Sequence, residues 1–169
     1  GRDHDVVFTC LPHTVGVPVA KAALDGSAAP LVVDLSADHR FSDPLEFERI
    51  YSVSHPEPQL CDAAPYGLTE HARGDLAGAR LVANPGCYPT AANLALRPLV
   101  QAGAIRLEHG IVCDAKSGVS GAGRKASLKT AVCEITENFS AYSLLGHRHV
   151  PEVLQNSGLE EAEFSFTAH

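Results

Sequence analysis

Short apolar runs alternate with segments of helical periodicity along the first half of the chain, and this alternation limits the fold more than any other feature. The runs at 5–11, 31–36 and 79–84 have the length and the continuous hydrophobicity of strands that are buried on both faces. Between them, 15–24 and 43–51 have the apolar spacing of helices. Strands and helices in this order predict a parallel sheet that is covered on both faces.

Particular residues mark where the predicted helices begin and end. Asp43 and Pro44 are typical of a helix start, as an N-cap and a first helical residue. In the second half, Pro89 and Gly103 predict the two ends of a helix, which Pro98 should kink or divide. The remaining pattern predicts a strand at 110–117, a flexible glycine-rich loop at 118–124, a helix at 149–158 and an alternating strand at 162–169.

The composition is that of an ordinary globular chain, and it argues against several classes of partner. The chain has 169 residues, of which 45% are hydrophobic and 20% charged, so it has enough apolar material for a core. A formal net charge of −7 argues against nucleic acid and against an anionic membrane as the main partner. No apolar run approaches the roughly 18 residues that a membrane-spanning helix needs, and the first residues lack the apolar core of a secretory signal.

The cysteines indicate a reducing compartment, which favours a cytoplasmic location. They are odd in number and widely spaced, and no C-x-x-C pair occurs, so neither a disulfide framework nor a structural zinc site is predicted. Four of them have no distinctive local setting and are interpreted as core or surface residues: Cys10, Cys61, Cys113 and Cys133.

The fifth cysteine, Cys87, stands in the stretch LVANPGCYPT at 81–90, where a predicted strand ends in a tight turn. The turn places Cys87 just before the helix that Pro89 should start. At such a position the helix dipole favours the thiolate, and the first N–H groups of the helix can bind an oxyanion. Most unpaired cysteines are small buried hydrophobes, but this setting favours a nucleophile.

A nucleophilic cysteine needs a proton partner, and the segment GHRHVPE at 146–152 supplies candidates. His147 or His149 could exchange a proton with the intermediate while Glu152 orients the ring. The H-x-H pair could also bind a metal, but no third ligand is evident nearby, so no metal site is predicted. The alternative interpretation is the solvated start of a helix.

Two further segments have an ambiguous pattern. SGVSGAGR at 117–124 offers backbone N–H groups between Lys116 and Arg124, which is typical of an anion site but also of a flexible connector. SADHR at 36–40 follows a predicted strand at its carboxyl end, where ligands bind in open α/β sheets. An Asp/Ser turn explains SADHR equally well.

These motifs, in this order and spacing, resemble the N-acetyl-gamma-glutamyl-phosphate reductase family of the semialdehyde dehydrogenase superfamily. The cysteine motif N-P-G-C-Y-P-T is the most specific part, and the resemblance extends over nearly the whole chain. Further matching segments are LPH at 11–13, DLSADHR at 34–40 and PYGLTE at 65–70.

The resemblance implies an α/β chain of two domains, both truncated. A partial Rossmann-like parallel-sheet domain at 1–86 would be followed by an α+β catalytic domain at 87–169, as in aspartate-semialdehyde and glyceraldehyde-phosphate dehydrogenases. It also implies NADPH-dependent reduction of N-acetyl-glutamyl 5-phosphate to the semialdehyde, in arginine biosynthesis. The expected assembly is a homo-oligomer, either a dimer or a tetramer, with a small-molecule acyl phosphate as the substrate.

Carried over to this sequence, the resemblance makes Cys87 the nucleophile and His147 the acid/base. Among residues expected to contact the substrate, three are cations suited to its carboxylate and phosphate. The full set of expected substrate-binding residues is Arg40, Arg124, Tyr142, Arg148, His149 and Glu152. The expected cofactor-binding residues are Leu11, Pro12, Ser117, Gly118 and Gly121.

One departure leaves alternatives open. The family's G-x-x-G-x-x-G turn, which holds the pyrophosphate, does not occur before Asp5, and the chain begins and ends almost on a strand, so we expect an internal piece of a longer protein. A related reductase of carrier-protein-linked lysine or ornithine biosynthesis is a second reading, although Tyr88 favours the acetyl-glutamyl type by resemblance. A cysteine acyl-transferase or hydrolase without nicotinamide and a non-catalytic binding module are the others.

Overall fold

The chain divides into two compact units, Gly1–Ala95 and Leu96–His169, in a computed structural model that describes residues 4–28 and 30–169. The first unit contains a parallel sheet with helices, and the second a smaller parallel sheet with short helices. Across the described residues, no helix is both long enough and apolar enough to cross a membrane.

Three parallel strands form the sheet of the first unit. They are β1 (Val6–Thr9), β2 (Leu31–Asp34) and β3 (Leu81–Ala83), and they lie in the order β1-β2-β3. The parallel sheet predicted from the alternating pattern is therefore confirmed. Because all three strands run in the same direction, the segments that follow them emerge at one edge of the sheet.

The core of the first unit confirms burial for β2 and β3 but not for β1. Val32, Leu81 and Ala83 are buried, whereas Phe8 is 65% exposed and Val6 is also exposed. The prediction of a strand covered on both faces is thus wrong for β1. Its apolar run has the composition of a central strand, but within the described sheet it lies at an edge and pairs with β2 alone.

Helices α1 (Val17–Asp25) and α2 (Pro44–Tyr51) lie where periodicity predicts them. Asp43 caps α2, because its carboxylate accepts a hydrogen bond of 2.9 Å from the Leu45 N–H, as the sequence predicts. Two further helices were not predicted: α3 (Gln59–Ala63) and α4 (Thr69–Leu76).

The segment before α4 pairs with β3 and so widens the sheet on that side. The Gly67 N–H donates to the Ala83 carbonyl at 2.8 Å, and the Ala83 N–H donates to the Pro65 carbonyl at 3.1 Å. Tyr66 and Ala83 form a parallel bridge. A Cβ at position 67 would lie 2.8 Å from Cγ1 of Val82, so glycine is required for this close approach.

Helix α5 (Cys87–Gln101) starts two residues earlier than predicted. The Gly86 carbonyl accepts the Thr90 N–H at 2.9 Å, which makes Cys87 the first helical residue and Pro89 the third. Proline is tolerated there because the N–H groups of a first turn have no acceptor within the helix. The prediction that Pro89 starts the helix is therefore wrong, and so is the alternative in which Pro98 divides it.

The end of α5 follows the prediction. Gly103 has a φ of +60°, and its N–H donates to the Val100 carbonyl at 3.0 Å while the Ala104 N–H donates to the Leu99 carbonyl at 2.9 Å. This pair of bonds is a Schellman motif, in which glycine takes the left-handed position without strain.

The second unit contains two parallel strands, β4 (Ile111–Ala115) and β5 (Phe164–Ala168). Residues of β5 alternate between buried and more exposed positions, as predicted for 162–169. The helices are α6 (Val132–Ile135), which was not predicted, and α7 (Val150–Ser157), which was. The glycine-rich loop predicted at 118–124 is not structureless, because Val119–Ala122 forms a 3₁₀ turn.

Candidate active site

Cys87 is exposed at the start of α5, while the residues on either side of it, Gly86 and Tyr88, are buried. It follows β3 by only three residues and therefore lies at the carboxyl edge of the sheet. The Cys61 thiol is different, because burial, and then the charges of Asp38 and Asp43, raise its pKa to about 11. An accessible thiol at a helix start can reach a substrate, whereas a buried one stays protonated and inert.

Other predicted site residues of the first unit follow neighbouring strands at the same edge. Leu11 and Pro12 come after β1 and are exposed. Arg40 comes after β2 and is only 9% exposed. Its Nε donates to the Asn84 carbonyl and one terminal nitrogen donates to the Leu35 carbonyl, both at 2.9 Å.

A polar cluster, buried except for the half-buried Asn84, fixes this edge, and we call it the sheet-edge network. Its members are Thr9, Asp34, Ser36, Asp38, His39, Arg40 and Asn84. Asp34 is its centre: its carboxylate lies 2.6 Å from both the Thr9 hydroxyl and the His39 Nδ1, and 2.7 Å from the Ser36 hydroxyl. Burial alone would raise the pKa of Asp34, but hydrogen bonds from His39, Thr9 and Ser36 outweigh it and lower the pKa to about 2. Asp34 is therefore a carboxylate at neutral pH.

The rest of the network forms a turn at SADHR. The Asp38 N–H donates to the Ser36 hydroxyl at 3.1 Å, and an Asp38 oxygen accepts the Thr14 N–H at 2.7 Å. The Asp/Ser turn is thus present, as one interpretation of the sequence held. Sequence reasoning did not connect Thr9 or His39 with Asp34, although a strand that ends in aspartate and is followed by Ser and His within five residues gives some signal.

His147 of the second unit is buried and has a defined tautomer. Its Nδ1 accepts the His149 N–H at 3.1 Å, so in the neutral ring the proton is on Nε2. Burial, and then the charge of Arg148, lower the pKa of His147. The uncharged ring can therefore donate a hydrogen bond from its Nε2–H at neutral pH.

The surroundings of His147 include two of the other predicted residues. The ring centroids of Tyr142 and His149 lie 5.8 and 4.9 Å from that of His147. Glu152 is fully buried on α7. The interpretation of 146–152 as a solvated helix start is therefore wrong, because three of its ionisable side chains are removed from solvent.

The remaining predicted residues are exposed. The 116–129 segment, which we call the exposed loop, is exposed at every position and contains Ser117, Gly118, Gly121 and Arg124; Arg148 is exposed as well. The loop is anchored at its start, where the Ser117 N–H donates to the His169 carbonyl at 2.9 Å. Within residues 4–28 and 30–169, no group of three His, Cys, Asp or Glu side chains is arranged to hold a metal ion.

Comparison with known families accounts for both halves of the chain. Residues 2–79 match the model described as "Semialdehyde dehydrogenase, NAD binding domain", and residues 87–169 match "Semialdehyde dehydrogenase, dimerisation domain". The chain belongs to the semialdehyde dehydrogenase family. Family membership confirms the resemblance and the two-domain α/β fold class that the motifs predicted.

Individual members of the family align with most of this chain. The chain is 48% identical to an N-acetyl-gamma-glutamyl-phosphate reductase of Nitrosomonas europaea, with 93% of this chain and 44% of the relative aligned. Reductases of the same name from Symbiobacterium thermophilum and Methanopyrus kandleri are 48% and 45% identical, and each aligns over 48% of its length with 98% and 100% of this chain. The chain thus spans slightly less than half the length of these relatives.

Proposed function

We propose that the chain is part of an NADPH-dependent reductase that converts N-acetyl-glutamyl 5-phosphate into N-acetyl-glutamate 5-semialdehyde and phosphate, a step of arginine biosynthesis. The observation that carries the proposal is the exposed Cys87 at the start of α5, at the carboxyl edge of a parallel sheet. Its support is the 45% to 48% identity to three reductases of that name.

The first step is acyl transfer to the thiol. The Cys87 thiolate attacks the acyl carbon, the bond to the phosphate oxygen breaks, and phosphate leaves, so a thioester remains on Sγ. The positive end of the α5 dipole stabilises the thiolate before attack and the oxyanion that forms during it.

The second step is reduction of the thioester. Bound NADPH would supply the hydride that reduces the thioester carbonyl, and the reduction would leave a negative charge on the carbonyl oxygen. His147 acts on that oxygen through its Nε2–H, which donates a hydrogen bond and stabilises the negative charge. When the oxygen re-forms the carbonyl, the carbon–sulfur bond breaks, which releases the aldehyde and restores the thiolate. A neutral ring with its proton on Nε2 suits this role, and the lowered pKa of His147 favours the uncharged form of the ring.

The residues present fit part of a dinucleotide-binding site. Leu11 and Pro12 offer an exposed apolar surface at the carboxyl end of β1, where ligands of α/β sheets bind. In the exposed loop, Gly121 has only the Ser117 side chain near the position of a Cβ, at 3.6 Å, so a ligand can approach its backbone closely. We propose that these residues, with Ser117 and Gly118, contact the cofactor.

For the substrate, we propose that exposed cations bind its carboxylate and phosphate and that His149, Glu152 and Tyr142 position its reacting carbon. Arg124 and Arg148 are the exposed cations. His149 and Glu152 are buried, and Tyr142 is 43% exposed with its ring centroid 5.8 Å from that of His147. Arg40 was predicted from its charge to bind substrate, and that prediction is tested together with the inference below.

We further propose a domain boundary between residues 86 and 87, a homo-oligomer and a cytoplasmic location. The two matched family segments leave the boundary between residues 79 and 87, although the division into two compact units falls in the sequence after Ala95. The second segment matches a dimerisation domain, which supports an oligomer, either a dimer or a tetramer. All five cysteines are unpaired, which agrees with a reducing compartment.

The test is the reverse reaction of the full-length protein with N-acetyl-glutamate semialdehyde, phosphate and NADP+. We expect phosphate-dependent formation of reduced nicotinamide, followed by its absorbance, and a loss of several orders of magnitude in Cys87→Ser. Cys10→Ser and Cys133→Ser are matched controls because their thiols are also exposed, and both should keep wild-type rates.

Other outcomes would decide between the alternatives. Substantial activity in Cys87→Ser would remove Cys87 from the mechanism. A folded wild-type protein without activity on this substrate, but with activity on a carrier-protein-linked semialdehyde, would indicate the related biosynthetic reductase. Release of phosphate from an acyl phosphate with no hydride transfer would indicate an acyl-transferase.

A further inference from the structure

We propose that Arg40 is a positioning residue, which holds the turn in front of Cys87 so that the thiol stays at the start of α5. This inference deepens the proposed function and rests on Cys87 being its nucleophile. It assigns Arg40 a different task from the substrate binding that its charge predicted.

The geometry links two strand ends through one guanidinium group. The two carbonyls that accept from Arg40 belong to Leu35 and Asn84, which directly follow β2 and β3. Arginine presents its donors in a rigid planar fork, so bonds in two directions fix the distance between the acceptors. The side chain is buried, which strengthens these charge-assisted bonds relative to exposed ones.

The Asn84 carbonyl controls the path of the chain into Cys87. Only Pro85 and Gly86 separate the two residues, and the ring of Pro85 restricts its own φ. At the other end of the turn, the Gly86 carbonyl accepts from Thr90, through the N–H at 2.9 Å and the hydroxyl at 2.8 Å. The turn is therefore fixed at one end by Arg40 and at the other by Thr90.

Arg40 itself is held by the turn that carries it. Its N–H donates to the Ala37 carbonyl at 3.4 Å, and the same turn is tied to the Asp34 carboxylate through Ser36 and His39. The Asp34 carbonyl also accepts the Asn84 N–H at 2.8 Å. The sheet-edge network thus sets the place from which Arg40 donates, and the position of the thiol depends on it.

The experiment compares Arg40→Lys and Arg40→Met with Arg80→Met in the full-length protein. Arg80 is a matched control, because it also donates to a backbone carbonyl, that of Leu24 at 2.7 Å, but it precedes β3 at the opposite edge of the sheet. Three quantities are measured: hydrogen exchange of the peptide 84–90, the rate of Cys87 alkylation by iodoacetamide, and the kcat and KM of the reverse reaction. Alkylation is followed by mass spectrometry of the Cys87 peptide, since Cys10 and Cys133 are exposed too.

Both Arg40 variants should exchange faster at 84–90, alkylate more slowly at Cys87 and lose kcat with little change in KM. A loss of about tenfold to a hundredfold in kcat is expected, because small displacements of a reacting group have effects of this size. Arg40→Lys should not rescue these values, since one ammonium cannot reproduce the fork to both carbonyls. Arg80→Met should match the wild type in all three measurements.

Several results would overturn the proposal. A raised KM for phosphate or semialdehyde, with unchanged hydrogen exchange at 84–90 and unchanged alkylation of Cys87, would show that Arg40 binds substrate. Wild-type behaviour in Arg40→Lys would mean that only the charge matters. If Arg40→Met does not fold, the result for Arg40→Lys alone tests the proposal. Faster hydrogen exchange throughout the first unit of Arg40→Lys would show that Arg40 stabilises the whole unit and does not specifically position Cys87. Exchange and alkylation need no substrate, so a failure of the proposed reaction would be recognised separately.

Discussion

The sheet-edge network and the exposed loop both contain polar and charged residues but use them in opposite ways. In the network, Asp34, Asp38 and His39 are at most 1% exposed, and each forms at least one hydrogen bond within the protein. In the loop, every residue from 116 to 129 is exposed, including the cations Arg124, Lys125 and Lys129. The first region is part of the scaffold that positions Cys87, and the second presents its groups to solvent.

This contrast teaches that charge alone does not identify a binding residue. A buried charge with partners contributes to stability and geometry, and removing one partner leaves the other desolvated and unpaired. An exposed charge contributes little to stability, so its main effects are on ligands. Each of the following predictions compares the sheet and the residues packed at its edge with the exposed loop or its immediate neighbours.

The largest effect is expected for Asp34→Asn. Removing this carboxylate leaves Thr9, Ser36 and His39 without their charged acceptor, and we expect the free energy of unfolding to fall by about 3–5 kcal/mol. The control is Asp114→Asn, since Asp114 pairs with Lys116 at the exposed loop; a much smaller change is expected there, because both side chains are more than half exposed and solvent screens the pair. Urea denaturation of the full-length protein measures both. Equal effects of the two substitutions would break the comparison.

An intermediate effect is expected for Gly67→Ala. The new Cβ would lie 2.8 Å from Val82 Cγ1 and 3.2 Å from the Ala83 carbonyl oxygen, so β3 must shift, at about 1–3 kcal/mol. In Gly121→Ala, the Cβ would meet the Ser117 side chain at an ordinary 3.6 Å, so stability should change by less than about 0.5 kcal/mol.

In enzyme kinetics the order of the two glycine variants should be reversed, with the larger effect in Gly121→Ala. Gly121→Ala should raise the KM for NADPH, because the proposed cofactor contact needs a close approach to the backbone. Thermal denaturation and steady-state kinetics of each variant are sufficient to test this. If Gly121→Ala is destabilised and its KM for NADPH is unchanged, the loop contributes to the stability of the fold and not to cofactor binding.

The smallest effect is expected from pH. His55 packs against His39 with ring centroids 5.5 Å apart, and burial, and then the charge of His39, lower its pKa from 6.5. A histidine with a lowered pKa in the folded state binds protons better when unfolded, so stability is lost as the pH falls below 6.5. The exposed loop contains no histidine and should add nothing in this range.

His55→Asn separates this contribution from that of His147, whose pKa is also lowered. The asparagine oxygen can still accept the Glu57 N–H that the Nδ1 of His55 accepts at 3.2 Å. The urea midpoint should therefore fall less steeply between pH 7 and pH 5 in the variant than in the wild type. The difference in stability should be smaller than that caused by Asp34→Asn or Gly67→Ala. A steeper fall would contradict the assignment.

Local patterns were sufficient to predict most elements that bury apolar residues. The strands β2 and β3, the helix α2 with its Asp43 cap and the glycine end of α5 all have signals within a few residues. Helix α4 has no buried residue, so it has no apolar period to detect. The exposure of β1 depends on which strands lie beside it, and that information is absent from its own sequence.

The candidate site was predictable where chemistry is local and was missed where partners are distant. The turn before Cys87 and the histidines of 146–152 are short motifs. Thr9 and Asp34 are 25 positions apart, and Arg40 and Asn84 are 44 apart, so no local pattern connects them. The acceptors of Arg40 are backbone carbonyls, which every residue possesses, and this is why its charge indicated a ligand instead.

The exposed edge of β1 has a consequence for the colloidal behaviour of the chain. Among the described residues β1 pairs with β2 alone, and Phe8 projects into solvent beside the row of backbone groups on its outer side. Such an edge is a template for pairing with another chain, so concentrated preparations of this chain alone have a route to aggregation that does not involve the catalytic chemistry. Lysine at position 8 would block that route with little disturbance, because the side chain already faces water.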